Sequence, residues 1–194
     1  LRYRLFVERG GESFVHASHG DGWLLEPIDT ASLNLWAGPE RRCLAAARLT
    51  QGADAVTDPR LAAMLRRSAL PEAEHPHSLV LSRLAIRHQA SARPLAQALA
   101  RHAYRVGLEA GADTALLASR PADIVFFTRL GFRPSGAAWT EPGVGELRCL
   151  TLAMRDRATL RAASSPLLAE FDAFEANGPS GTAKVSILDL GDDL

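Results

Sequence analysis

The sequence predicts a mixed α/β domain, on three observations. From residue 78 to 155, short apolar runs of strand length alternate with stretches that repeat every three to four residues. Residues 32–50 hold two strand-like runs around Gly38-Pro39, the pattern of a hairpin. Gly111, Pro121 and Gly131 stand at the joints between runs. Because strands alternate with helices only in the second half, the expected sheet mixes parallel and antiparallel neighbours.

The elements follow in order. Residues 2–9 read as a short first helix, with Leu5 and Phe6 apolar and Arg2, Arg4 and Glu8 polar. Residues 10–25, rich in Gly, His and Ser, read as a mobile loop. In the hairpin, Leu33 and Leu35 alternate with polar partners, and residues 42–49 return. Asp58-Pro59 starts a helix, a capping Asp before a proline at the first helical position, and Leu61, Met64 and Leu65 mark its buried face. A loop with Pro71 and Pro76 leads into the strand SLVLSRLAI at 78–86. Strict alternation there places Arg83 on the face of Leu81 and Ala85, opposite Ser82 and Leu84.

The helix at 93–110 has two clear stripes. Leu95, Ala98, Leu99, His102 and Val106 form one, and Arg93, Gln97, Arg101, Arg105 and Glu109 the other. His102, on the inner stripe, reads as a packed and hydrogen-bonded histidine. TALLAS, 114–119, is a short buried strand, and Pro121 opens a helix that Gly131 closes. Residues 145–155 alternate as a final strand, with Leu147, Cys149 and Thr151 on one face. Beyond 155 the character changes. PLLAEFDAF reads as an amphipathic helix ended by Asn177-Gly178-Pro179, AKVSILDL as an edge strand, and GDDL as an acidic tail. The chain therefore divides into a domain at 1–155 and an extension at 156–194, an arm that packs on the domain or on a partner.

Composition excludes several classes. Lys plus Arg equals Asp plus Glu, 22 of each, so no net basic field draws the chain to nucleic acid. No apolar run approaches the length of a transmembrane segment. LRYRLFVERG puts charge inside what would be the apolar part of a signal peptide, so a cytoplasmic protein is expected. The chain starts at Leu1 rather than Met, and part of the native start is expected to be absent. Cys43 and Cys149 lie far apart in apolar, strand-like runs and read as buried reduced thiols. His75-Pro-His77, with Glu72 and Glu74, sits in a Pro-rich loop that offers no frame for metal ligands, and no zinc spacing exists.

IVFFTRLGFRPSG, 124–136, is similar to the helix–turn–strand near the end of GNAT acyltransferases, where an aromatic pair precedes a Leu-Gly-Phe turn. Phe126, Phe127, Leu130, Gly131 and Phe132 fill those places. The strand–turn–helix at 78–104 falls where that superfamily binds the pyrophosphate of an acyl thioester carrier. A closer resemblance is to the acyl-homoserine-lactone synthases and the related N-acyl amino acid synthases. It rests on Arg2 and Phe6 one turn apart in RYRLF, the acidic pair Glu26 and Asp29, Ala47-Arg48-Leu49, and Ser82-Arg83-Leu84-Ala85. These pieces keep their order across 1–155 and leave the tail outside.

The resemblance implies a GNAT-like central mixed sheet flanked by helices, with a C-terminal extension. It implies N-acyl transfer from a thioester carrier to a small amine such as an amino acid. Glu26, Asp29 and Arg83 would form the catalytic centre, with Arg2, Phe6, Arg48, Ser82 and Phe127 around the substrate. Leu84, Ile86, Arg87, Arg93 and Ala96 would lie beside the donor's phosphopantetheine, and no cofactor would be bound permanently. The 78–86 strand would offer backbone N–H groups to the thioester carbonyl. Apolar residues between the strands at 78–86 and 114–119 would line an acyl tunnel.

Glycines at such a helix start let backbone N–H groups close on a pyrophosphate. Here Ser91, Pro94 and Ala96 stand in those places, with Arg87 and Arg93 nearby, and proline has no N–H to offer. Coenzyme A carries a pyrophosphate, whereas the phosphopantetheine of an acyl carrier protein carries one phosphate. The substitution favours the carrier protein, whose acidic surface suits arginines. Coenzyme A stays the alternative, because any free helix N-terminus attracts phosphate.

Two departures bear on the chemistry. Where the lactone synthases carry a Glu two residues before the Ser-Arg pair, this sequence has Val80, which argues against lactone synthesis itself. Where GNAT enzymes often place a Tyr general acid, it has Phe127. An attacking amine must lose a proton, and a positioned base contributes about a hundred- to ten-thousand-fold. That base must be water or another side chain, with Glu26 and Asp29 nearest by resemblance. The same pair reads equally as a solvated loop pair capping the next strand. Arg48 and Arg83 sit in apolar surroundings and need an anion: a structural ion pair with Glu26 or Asp29, or the carboxylate of an amino acid substrate. Two other readings stay open, an ordinary acetyl-coenzyme A acetyltransferase and a catalytically inactive module that binds a carrier or partner.

Overall fold

The structure, a computed structural model, describes residues 1–10, 17–38, 43–87, 92–179 and 187–188. The chain opens with a wide-turned helix at Tyr3–Glu8 and a small hairpin of β1 (Ala17–Ser18) and β2 (Trp23–Leu24). A short 3-10 turn at Pro27–Ala31 delivers it into β3 (Ser32–Ala37) and β4 (Ala45–Gln51). Then come α1 (Gly52–Ala55), α2 (Pro59–Arg67), a 3-10 stretch at Glu72–His77, β5 (Ser78–Ile86), α3 (Ala92–Glu109) and β6 (Thr114–Ser119). A 3-10 turn at Pro121–Asp123 precedes α4 (Ile124–Leu130), followed by β7 (Arg133–Glu141) and β8 (Gly145–Ala153). The chain ends with α5 (Arg157–Ala162), α6 (Leu168–Asn177) and β9 (Ile187–Leu188).

One sheet organises the molecule, in the order β7-β8-β6-β5-β4-β3-β9. All neighbours run antiparallel except β5 with β6 and β3 with β9. The expected mixed sheet with flanking helices is thus present. The helix starts and stops are those that local chemistry dictates. Asp58 accepts from the N–H groups of Arg60 and Leu61 ahead of α2, and Gly131 ends α4 in a left-handed conformation at φ 104°.

The structure departs from the sequence reading at several points. Residues 10–25 are not all loop: the β1–β2 hairpin lies within them. Residues 133–141 form the strand that the helix–turn–strand resemblance of 124–136 implies, although Pro134 and Gly136 break the alternation that would mark it by itself. This edge strand bulges between Ser135 and Trp139, where Gly136 turns at φ 72° and its Cα comes so close to the Arg67 carbonyl that a Cβ would stand 1.9 Å from it. Cys43 precedes β4 rather than lying in a strand and is half-buried rather than buried, while Cys149 is buried within β8; neither is bonded to the other. Of the predicted tail strand only Ile187–Leu188 falls within the described residues, paired in parallel with Trp36–Ala37. Pro39 and Ser91 lie outside them.

The central strands bury both faces, as near-continuous apolar runs should. Leu79, Leu117 and Leu150 face α3 in the main core, while Val80, Leu116 and Cys149 face α2 with Ile28, Met64 and Leu65. Leu160, Leu167 and Phe171, all from 156–194, belong to the α3-side core. His102 is buried on α3 beside Arg105, the packed histidine that the inner stripe suggested.

Two features of β5 position the charged and apolar side chains around it. Its parallel pairing with β6 covers Ser78–Val80 against Thr114–Leu116, and then the strands part while β5 continues to Ile86. Its pairing with β4 jumps from Arg48↔Ser82 to Ala46↔Ala85, so one extra residue bulges out at Arg83–Leu84. Arg83 takes up the bulge in a left-handed conformation, φ 54°. The strict alternation expected here is therefore broken. Arg83 joins Ser82 and Ala85 on the face of Arg48, and Leu84 and Ile86 turn with Leu81 toward the α3-side core.

Candidate active site

Residues from four separate segments meet on the α2 side of β4 and β5. The 3-10 turn after Glu26 supplies the carboxylates, and its geometry is fixed locally: the Glu26 N–H donates to Asp29 Oδ2 at 2.8 Å. Arg48 comes from β4 and Ser82 and Arg83 from β5, while the first helix brings Arg2 and Phe6.

The ion pairs are dense. Arg83 meets Glu26 side by side, Nε to Oε2 at 2.7 Å and a terminal nitrogen to Oε1 at 2.6 Å. Arg48, only 2% exposed, donates to Glu26 at 3.0 Å, to Asp29 at 3.1 Å and through Nε to the Ser82 hydroxyl at 3.0 Å. Arg2 donates to both oxygens of Asp29 at 2.8 and 3.0 Å and to Asn34 at 2.9 Å. The Phe6 ring lies under the Arg83 guanidinium, 5.5 Å away. Three guanidinium groups thus surround two carboxylates.

Burial by itself pushes the Glu26 carboxyl up, but the hydrogen bond and charge of Arg83, with Arg48 and Arg2 behind it, outweigh that and hold it below its ordinary value. Asp29 is likewise raised by burial and then lowered further by Arg2, the Glu26 N–H and Arg48. Both are therefore anionic at neutral pH. They do not behave as a solvated loop pair, and the structural pairing of Arg48 and Arg83 with them is present.

Of the residues singled out from sequence, Arg2, Phe6, Glu26, Asp29, Arg48, Ser82 and Arg83 come together here. Others lie elsewhere. Phe127 is buried on α4, edge-on to Phe126 and Phe132 in the α3-side core. Leu84 and Ile86 pack partly against that core, and Ala96 is buried in the first turns of α3. Arg87 spends its N–H on the Leu44 carbonyl, 2.8 Å, and Arg93 is exposed. Asn34 joins the cluster without having been singled out. Its signal is a polar residue between Leu33 and Leu35 whose partner across the hairpin is Arg48.

On the opposite face of the sheet lies an apolar cavity of about 30 Å³. Leu79 and Leu81 of β5 line it at the point where β5 leaves β6, with Ala115 of β6, Ala100 and Ala103 of α3, and Leu167 from the C-terminal segment. Val80, between Leu79 and Leu81, points the other way into the α2-side core and is fully buried.

A mixed sheet whose parallel central pair splays open, with helices on its faces, is a GNAT-like synthase fold. Solved structures bear this out. The chain matches TofI in a ternary complex with an inhibitor and MTA at a TM-score of 0.64 and 21% identity, over 86% of each chain. It matches BjaI, a CoA-dependent acyl-homoserine lactone synthase, with SAM and isopentyl-CoA, at 0.64 and 17%, over 89% of this chain and 88% of that one. FeeM, an N-acyl amino acid synthase from uncultured soil microbes, matches at 0.52 and 15%, over 87% and 89%. No protein-family model matches the sequence, and no curated protein matches it significantly. At these identities the likeness is one of fold. Among the described residues no helix is long and apolar enough to cross a membrane, and no group of His, Cys, Asp and Glu is placed to hold a metal ion.

Proposed function

We propose that the protein is an N-acyltransferase that moves an acyl chain from a pantetheine thioester to the amine of a small molecule bearing a carboxylate. One observation carries this reading. Where β5 parts from β6, the bulge at Arg83 sends charged side chains to one face of the sheet and apolar ones to the other. A thioester carbonyl laid along β5 beyond Val80 meets backbone N–H groups that no strand takes up on that side. Its acyl chain has the cavity at Leu79 and Leu81 to enter, and the acceptor has the arginine–carboxylate cluster.

In the reaction the bound ammonium first gives one proton to water, the freed amine nitrogen bonds to the carbonyl carbon as the carbon–sulfur bond breaks, and the nitrogen's second proton goes to the departing thiolate, which leaves as the thiol. Glu26 and Asp29, kept anionic, suit holding the acceptor's ammonium group, and Arg83 and Arg48 keep both carboxylates aimed. Water is then the simplest proton acceptor, since positions 80 and 127 are apolar and buried. The donor is the phosphopantetheine of an acyl carrier protein or coenzyme A. The FeeM likeness favours an amino acid as acceptor, and the BjaI likeness favours coenzyme A as donor.

The test offers acyl carrier thioesters and acyl coenzyme A of several lengths with an amino acid mixture, and reads N-acyl products by mass spectrometry. A folded sample that makes no product with any donor ends the reading. Buried Val80 and Phe127 favour a second one, a fold that binds the carrier without chemistry. Saturable carrier binding with no turnover selects it.

A further inference from the structure

We propose that the C-terminal segment sets the acyl-chain length the protein accepts, with Leu167 as the stop; this rests on the acyl-transfer reading above. Leu167 precedes α6, is 1% exposed and, among the described residues, is the one contribution of the C-terminal segment to the wall of the apolar cavity. The small side chains of Ala100, Ala103 and Ala115 leave the space that this wall then limits.

Leu167 is held on both sides of the chain. Before it, the buried Ser165 hydroxyl donates to the Leu130 carbonyl at the end of α4, 2.7 Å, and accepts from the Leu167 N–H at 3.1 Å. After it, Glu170 takes Arg101 of α3 at 2.7 Å and approaches Arg105 at 3.5 Å. The segment is thus tied to both α3 and α4, and Leu167 is a fixed stop rather than a loose side chain. A volume of about 30 Å³ is small beside an acyl chain, so the walls decide how many carbons enter. Each methylene that finds room adds roughly fourfold to affinity.

The test uses the full chain and a series of S-alkyl pantetheines from two to fourteen carbons, stable thioethers whose binding is measured by calorimetry. Acyl-coenzyme A turnover on the same length series runs beside it. Leu167→Ala vacates three carbon atoms and is expected to move the best-bound chain about three carbons longer, with roughly a tenfold or greater gain for those chains. Leu167→Phe is expected to shorten it. If Leu167→Ala does not fold, Leu167→Val, one carbon smaller, is expected to lengthen the optimum by about one. Folded variants with the wild-type length profile overturn the proposal, as does binding that is independent of chain length in every sample. A shifted binding profile with no turnover in any sample upholds the length stop and sinks the transferase reading. Turnover with an unshifted profile does the reverse.

Discussion

Arg83 and Glu26 form a two-bonded pair, 2.7 and 2.6 Å, from a backbone position that only a bulge makes available. The left-handed φ of 54° costs an arginine and a lysine alike, so Arg83→Lys leaves the backbone strain unchanged and tests the fork alone. The lysine variant is expected to fold with near wild-type stability and to lose on the order of tenfold or more in kcat/KM, the scale of one charged hydrogen bond. A folded variant with unchanged kinetics would mean that the pair serves the fold only.

Acid should unfasten the same cluster. Glu26 and Asp29 titrate below their ordinary values of 4.5 and 3.8, so the unfolded chain binds protons first as pH falls. Their contribution is therefore complete above pH 4.5 and is lost as pH drops through the lower folded values. Glu26→Gln, which leaves buried Arg48 short of charge, is expected to cost about 3 kcal/mol or more near neutrality. Melting temperatures from pH 7 down to pH 3 should fall less steeply in that variant than in the wild type. Parallel curves would show that the cluster is not what acid attacks.

Much of this fold is legible in the sequence, and the failures share a cause. β5 and β6 are read residue for residue because each is an apolar run bounded by clear breaks. β7 is legible only through the resemblance of 124–136 to a helix–turn–strand, since RPSGAAWTE has no alternation of its own and is a strand by virtue of pairing with β8. The face of Arg83 escapes for the same reason. Only the registers Arg48↔Ser82 and Ala46↔Ala85 reveal the extra residue, and register is a property of two strands. The site shows the pattern again. Arg48 and Arg83 announce themselves as charges in apolar runs needing an anion, but nothing local says that Arg2 will reach Asp29 across the chain.

Val80 offers a test of what the apolar substitution excludes. It is fully buried and belongs to the same apolar cluster as Leu116, Cys149 and Leu65. Placing an acid there, Val80→Glu, puts a carboxyl in a dry layer with no guanidinium built to meet it. The expected result is a loss on the order of 3 kcal/mol in stability and no gain in turnover, seen as a lower urea midpoint. A stable and faster variant would show that the cluster lies within reach of position 80 and that the chain has merely lost a base.

The acceptor's carboxylate is expected to be bound at Arg2. Among the described residues Glu26 and Asp29 share their four oxygens among the guanidinium groups of Arg2, Arg48 and Arg83. Among the described residues Arg2 Nε is buried without a hydrogen-bond partner, on a side chain 15% exposed. A buried donor left unmade is costly, and an acceptor's carboxylate oxygen that reaches Arg2 removes that cost. Amino acids should therefore be better acceptors than their methyl amides by about tenfold or more in kcat/KM, because the amide keeps the amine but loses the charge. Arg2→Gln should shrink that preference while leaving amide turnover less affected, which separates a lost carboxylate contact from a general loss of activity. Equal kcat/KM for acid and amide in the wild type would show that Arg2 serves the ion-pair cluster itself and that the acceptor is chosen by its amine alone.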